Sequence, residues 1–239
     1  MKKILPAIFL ILSFSSYCQK GKFNPFKLIV LKPDTAIIDR SLRNNIDSVE
    51  AEYIRSYYKS VQEMERFASS TYLLNDTEII STQHKRKTKL LALKAREPDV
   101  KKFKYFQTLS FYSTEVYNFY FNEYAPFSTI VEKPFHKTDI ESLKRLTDSA
   151  NADYIVFFTN VHSVIRQSRP YLKLTTSLYS KKEGKIILTK ETEGDTDSRG
   201  DMWTCEGNTL RCLLVNGVRT STDEVAPVIA KIQMKKQGR

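Results

Sequence analysis

Across residues 138–192 the spacing of apolar positions changes from helical to alternating, and that change predicts the centre of the fold. Thr138 precedes Glu141 by three residues, the spacing at which a hydroxyl caps the first turn and a carboxylate reaches back to the cap's own N–H. A helix is expected to start there. Ile140, Leu143 and Leu146 share one face, while Lys144, Arg145 and Asp148 point elsewhere. Residues 154–158 (YIVFF) form a continuous apolar run rich in β-branched and aromatic side chains, which predicts a strand covered on both faces. A polar, Arg-containing connection with Pro170 follows. Leu172, Leu174, Thr176 and Leu178 then alternate with polar neighbours, and Ile186 and Leu188 alternate after Lys182-Glu183-Gly184-Lys185, so a Gly-containing tight turn joins two strands into a hairpin.

The remaining elements follow from the same two periods. Residues 26–31 (FKLIVL) read as a buried first strand stopped by Pro33. Asn45 and Asp47 offer caps for a helix whose seam is Ile46, Val49, Tyr53, Tyr57, Val61, Met64 and Phe67, ending at Ser69-Ser70. Residues 78–95 are weakly helical. Phe103, Phe106, Leu109, Tyr112, Val116 and Tyr120 repeat at helical spacing, predicting one long helix over residues 99–122 that stops before Pro126, its aromatics lining a ligand pocket or, more simply, packing in the core. A short strand over residues 128–131 is expected to pair with the first one. From Asn208 onward, Leu210, Leu213, Leu214 and Val218, then Val225, Ile229 and Ile232, predict one or two helices covering the sheet, with Pro227 near a helix start. The sum is an α/β (or α+β) fold, a small mixed sheet flanked by long amphipathic helices.

The leader sets the expected compartment. Lys2 and Lys3 precede the apolar run of residues 4–14, and Ser16 and Cys18 are small residues near a cleavage point, so residues 1–19 read as a signal peptide and residues 20–239 as a single α/β domain. A run of that length falls short of the roughly 20 residues needed to span a bilayer. Cys18 could carry a lipid, although bulky Tyr17 stands where a small residue normally precedes such a cysteine. The leader resembles that of Bacteroidota secreted proteins. These features imply a periplasmic or secreted protein that meets membranes only peripherally.

Charge narrows the partners. The chain carries 38 Lys and Arg against 27 Asp and Glu, a formal net charge of +11. Outside the cytoplasm such a protein meets lipid headgroups, acidic glycans and wall polymers more than nucleic acid. Lys85, Arg86, Lys87 and Lys89 cluster beside His84, and Lys101, Lys102 and Lys104 follow beside Phe103, Tyr105 and Phe106. These seven residues are the sequence's candidate binding surface for an envelope protein or an anionic envelope polymer, against the plainer reading of a solvated helix face. Cys205 and Cys212 remain after cleavage; they can pair if their Cα atoms lie within about 7 Å, and cannot if both sit on one continuous helix.

Catalytic signatures are missing: no G-x-S-x-G, no P-loop, no dinucleotide fingerprint and no H-E-x-x-H. His84, His136 and His162 are far apart. Asp195, Asp197, Gly200 and Glu206 imitate a calcium loop, but Arg199 puts a cation where an oxygen ligand belongs. Arg199-Gly200-Asp201 spells an adhesion tripeptide, Asn75-Asp76-Thr77 fits an N-glycosylation sequon, and Asp34-Thr35-Ala36, Asp47-Ser48-Val49 and Asp148-Ser149-Ala150 resemble the O-glycosylation signal of Bacteroidota.

A helix leading into Ala152-Asp153-Tyr154-Ile155-Val156, followed by a hairpin carrying Glu183-Gly184-Lys185-Ile186-Ile187, resembles the envelope α/β module of the curli-secretion lipoprotein and the Tol-system amino-terminal domain. The resemblance covers about a quarter of the chain and implies a fold without catalytic residues. The resulting expectation is an exported, non-catalytic envelope protein without metal or cofactor. The alternative is an envelope-polymer hydrolase whose site is assembled from distant residues.

Overall fold

β1 (Lys27–Leu31) forms where four apolar residues follow one another, and all four are buried because both faces of the strand are covered. The structure, a computed structural model, describes residues 24–70, 76–125, 127–197, 205 and 209–235. The leader, the adhesion tripeptide and Asn75 lie outside the described residues. The chain divides into two compact units, one drawn from Met1–Ile37 with Thr108–Arg239 and the other Ile38–Gln107. Neither glycine nor proline marks the crossings near Ile38 and Gln107, so the pattern along the chain gave no sign of a boundary there.

The smaller unit holds α1 (Arg40–Ser69), α2 (Asp76–Ala95) and α3 (Glu97–Lys101). α1 starts ahead of the caps expected at Asn45 and Asp47. Asp39 caps it by accepting from the Ser41 amide at 2.9 Å and hydroxyl at 2.6 Å, and Leu42 joins Ile46 in the buried seam. The helix expected over residues 99–122 is broken. Glu50, nearly buried on α1, accepts the Tyr105 amide at 2.8 Å, a donor that a continuous helix would have turned to Lys101. Phe103 stacks on Tyr53 with ring centroids 4.0 Å apart. The chain therefore turns after Lys101 and makes one 3-10 turn, Tyr105–Thr108, before helix resumes.

The larger unit is a mixed six-stranded sheet with helices, an α/β fold. Its strands are β1, β2 (Ala36–Ile37), β3 (Thr129–Lys133), β4 (Tyr154–Arg166), β5 (Arg169–Ser180) and β6 (Lys185–Gly194), in the order β3-β1-β4-β5-β6 with β2 pairing β4 beyond β1. β3, β1, β2 and β4 pair in parallel; β4, β5 and β6 pair antiparallel. The Arg-containing stretch expected as a connection is strand instead. β4 runs on to Arg166, and only Gln167 and Ser168, both at positive φ, turn the chain into β5. Pro170 is tolerated because β6 pairs with β5 only from Leu172 onward. The second turn falls where expected, with Gly184 at φ 62.

One face of the sheet carries α5 (Ile140–Ala150), whose Leu143 is buried against Ile29, Leu31, Ile155, Phe157 and Tyr179. Its cap is Asp139, one residue beyond the expected Thr138, with its carboxylate accepting from the Ser142 amide at 2.9 Å. The opposite face carries α4 (Leu109–Tyr124) and α6 (Leu210–Lys235). There Phe121 meets Phe26 edge-on, Ser221 accepts from Thr176, and Gln233 donates to the Tyr154 hydroxyl. α6 is one helix with Pro227 inside it, where the sequence had Pro227 near a start. Cys212 in its first turn forms a disulfide with Cys205, their Cα atoms 5.3 Å apart, which is possible because Cys205 precedes the helix.

Candidate functional site

The seven basic residues singled out by the sequence all lie in the smaller unit, and the structure divides them. Arg86 is half-buried; its guanidinium donates to the Phe67 and Ser70 carbonyls at 3.2 Å and lies 3.8 Å from the Phe67 ring centre, so it ties α2 to the end of α1. Lys101 pairs with Glu97 at 2.8 Å and Lys104 with Glu50 at 3.0 Å. The Lys101 ammonium and the Tyr58 hydroxyl together hold the Glu97 carboxyl below its usual range. Lys85, Lys87, Lys89 and Lys102 are exposed, and among the described residues no carboxylate pairs with them. Lys85 and Lys89 share one side of α2, Lys87 lies on another, and Lys102 follows α3.

The acidic loop that imitates a calcium site serves the fold in its described part. Asn216, buried on α6, donates to the Asp195 carbonyl and carboxylate at 2.8 Å and to the Asp197 carbonyl at 2.9 Å. Asp197 also pairs with Arg169. Arg199, Gly200 and Glu206 lie outside the described residues. Among the described residues no group of three His, Cys, Asp or Glu side chains stands close enough to hold a metal ion. His84 is exposed on α2, and His162 donates from Nδ1 to the Asn160 carbonyl at 2.7 Å in β4.

Two concave places are described within the larger unit. The wider is a groove of about 550 Å³ between α4 and β3, lined by Asn118, Phe119, Phe121, Phe127, Ser128 and Ile130. Phe121 is buried and forms its floor, whereas Phe119 is 46% exposed and Phe127 is 91% exposed. Phe127 also sits at φ 70, a left-handed backbone that a bulky side chain rarely adopts. The groove runs beside a sheet edge. Thr129, Val131 and Lys133 direct their backbone groups to β1, as the bonds from Thr129 N–H to Phe26 and from Lys32 N–H to the Lys133 carbonyl show. Ile130 and Glu132 therefore point theirs outward, and among the described residues no strand pairs on that side.

Of the α4 aromatics the sequence singled out Tyr112 and Tyr120, and neither lines this groove. Leu109 and Val116 are buried, as expected, with Tyr117 and Phe121 alongside them. Phe111 and Phe119 face the other way, and they were legible only as aromatics off the apolar seam. The narrower place is a crevice of about 280 Å³ beyond the carboxyl ends of β1 and β3, to which Asp34, His136 and Asn160 come from three distant parts of the chain.

No family model matches the chain, and no curated protein matches it. Among solved structures, a protein from Xanthomonas campestris described under the family name DUF330 is similar over 91% of this chain and 94% of its own, with 7% identity and a TM-score of 0.34. A hypothetical protein from Chlamydia trachomatis is similar over 88% of this chain and 99% of its own, with 7% identity and a TM-score of 0.36. Scores this low leave the fold resting on the chain's own strands and helices.

Proposed function

We propose that this chain is an exported, non-catalytic protein of the cell envelope that holds a protein partner in extended form along the β3 edge. The observation that carries the reading is the exposure of Phe119 and Phe127 beside outward-facing backbone groups of Ile130 and Glu132. An added strand takes its affinity from main-chain hydrogen bonds and its selectivity from pockets beside alternate side chains, and the groove offers both. The leader of residues 1–19 and the basic balance support the envelope as the setting. The module resemblance supports a binding fold. No helix among the described residues is long and apolar enough to cross a membrane. The exposed Lys85, Lys87 and Lys89 support peripheral attraction to anionic polymers as a secondary contribution.

The test is capture from solubilised envelope with three forms of the chain. Replacing both Phe119 and Phe127 with Asp is expected to weaken capture about 30-fold, about 1 kcal/mol for each of the two aromatics lost. Replacing Lys85, Lys87 and Lys89 with Glu should leave most of it. The opposite ranking would move the partner surface to α2. The alternative of a polymer hydrolase draws on the crevice, which gathers Asp34 and His136; polymer turnover lost in His136→Ala would establish it.

A further inference from the structure

The narrower crevice has the position, shape and chemistry of a small-molecule site. β3 continues through α5 on one face of the sheet, while α4, which leads the chain back to β3 after β1, lies on the other face. Parallel strands whose connections part to opposite faces leave an opening outside their carboxyl ends, where open α/β sheets bind ligands. Here the opening is a cavity of about 280 Å³. That is near the lower limit of about 300 Å³ for small-molecule pockets, room for one ring and not for an oligomer.

The backbone bordering the crevice is bent on one side. β4 shifts register between Thr159 and His162, and Asn160 within the shift has φ 50. Such bulges re-aim side chains and gather beside binding sites. The charges argue against an anion as ligand. Lys32 borders the cavity but is paired with Glu132 at 3.0 Å, the Asp139 carboxylate occupies the first-turn amide of α5, and Asp34 adds a negative charge. What the crevice does offer is mixed. Thr35 and Thr138 bring hydroxyls, His136 an imidazole and Asp34 a carboxylate, beside the ring of Phe135, which is 47% exposed; Asn160 borders the cavity while its side-chain amide donates to Thr175 at 3.4 Å. Donors and acceptors set around an apolar wall match the hydroxyls and the C–H face of a neutral sugar ring.

We propose that the crevice formed by Asp34, Thr35, Phe135, His136, Thr138 and Asn160 binds a single neutral hexose or N-acetylhexosamine ring. This site is distinct from the β3 groove and stands independently of it. The test is saturation-transfer NMR on the full chain with glucose, galactose, mannose, N-acetylglucosamine and N-acetylgalactosamine at about 10 mM each, a concentration that detects millimolar binding. Inorganic phosphate serves as the anionic competitor. At least one sugar should receive transfer and resist displacement by phosphate. Asp34→Ala and Phe135→Ala should each weaken that binding about 10-fold. Both side chains are exposed, and circular dichroism checks that the variants fold. Phe127→Asp should bind sugar as the wild type does, which keeps failure here separate from failure of the groove. Absence of transfer from folded protein to every sugar, survival of binding in both crevice variants, or displacement by phosphate would each overturn the proposal.

Discussion

Two glycines show how tightly single residues constrain the larger unit. A Cβ placed on Gly194 would lie 2.2 Å from the Gly217 nitrogen and 2.6 Å from the Leu213 carbonyl oxygen, both backbone atoms that no rotamer change can move. Gly194→Ala is therefore expected to cost at least about 2 kcal/mol, read as a lower denaturant midpoint at unchanged slope. A variant as stable as the wild type would show that α6 does not press on β6 there. Burial makes a second prediction. Desolvation pushes the Tyr154 hydroxyl up to about 12, from an ordinary 10, and pushes Tyr117 up as well. Below pH 10 both the folded and the unfolded chain keep the Tyr154 proton, so its contribution to stability is constant. Between pH 10 and 12 the unfolded chain releases that proton while the folded chain holds it, so stability falls as pH rises. Tyr154→Phe should flatten part of that alkaline slope; an unchanged slope would mean the hydroxyl is not desolvated.

At the scale of elements, the disulfide stiffens the approach to α6. Closing so short a loop stabilises by about 2–3 kcal/mol in the chain-entropy treatment, so reduction or Cys205→Ser should lower the unfolding midpoint while leaving the helical signal in place. No shift on reduction would mean the bridge does not form. Elements were most legible where one local pattern decided them: β1, the buried start of β4, the Gly184 turn and the single seam of α5. They were less legible where a distant side chain overruled the pattern. Glu50 drawing in the Tyr105 amide ended the helix expected to continue past Lys101, and nothing between residues 99 and 122 records that contact. The paired turn residues Gln167 and Ser168 lack the glycine or asparagine that usually marks a tight hairpin, so a strand passed for a loop. Caps moved for a simpler reason. Asp139 stands next to the expected Thr138, and Asp39 lies six residues ahead of Asn45, where the helix gains the turn that buries Leu42.

At the scale of the molecule, composition pointed to a basic surface; within the smaller unit Arg86 holds α2 to the end of α1, while Lys101 and Lys104 pair with Glu97 and Glu50 and stay exposed. The groove and the crevice were hidden for a common reason. Phe119, Phe127 and Ile130 meet only when β3 takes the sheet edge, and Asp34, His136 and Asn160 meet only through parallel pairing of β1 with its two neighbours. If a partner completes the sheet at β3, amide-resolved hydrogen exchange with and without solubilised envelope will record it there. Slowed exchange at the outward-facing Ile130 and Glu132 amides, with α2 unchanged, is the predicted result. Unchanged exchange along β3 while Lys85–Lys89 becomes protected would contradict it.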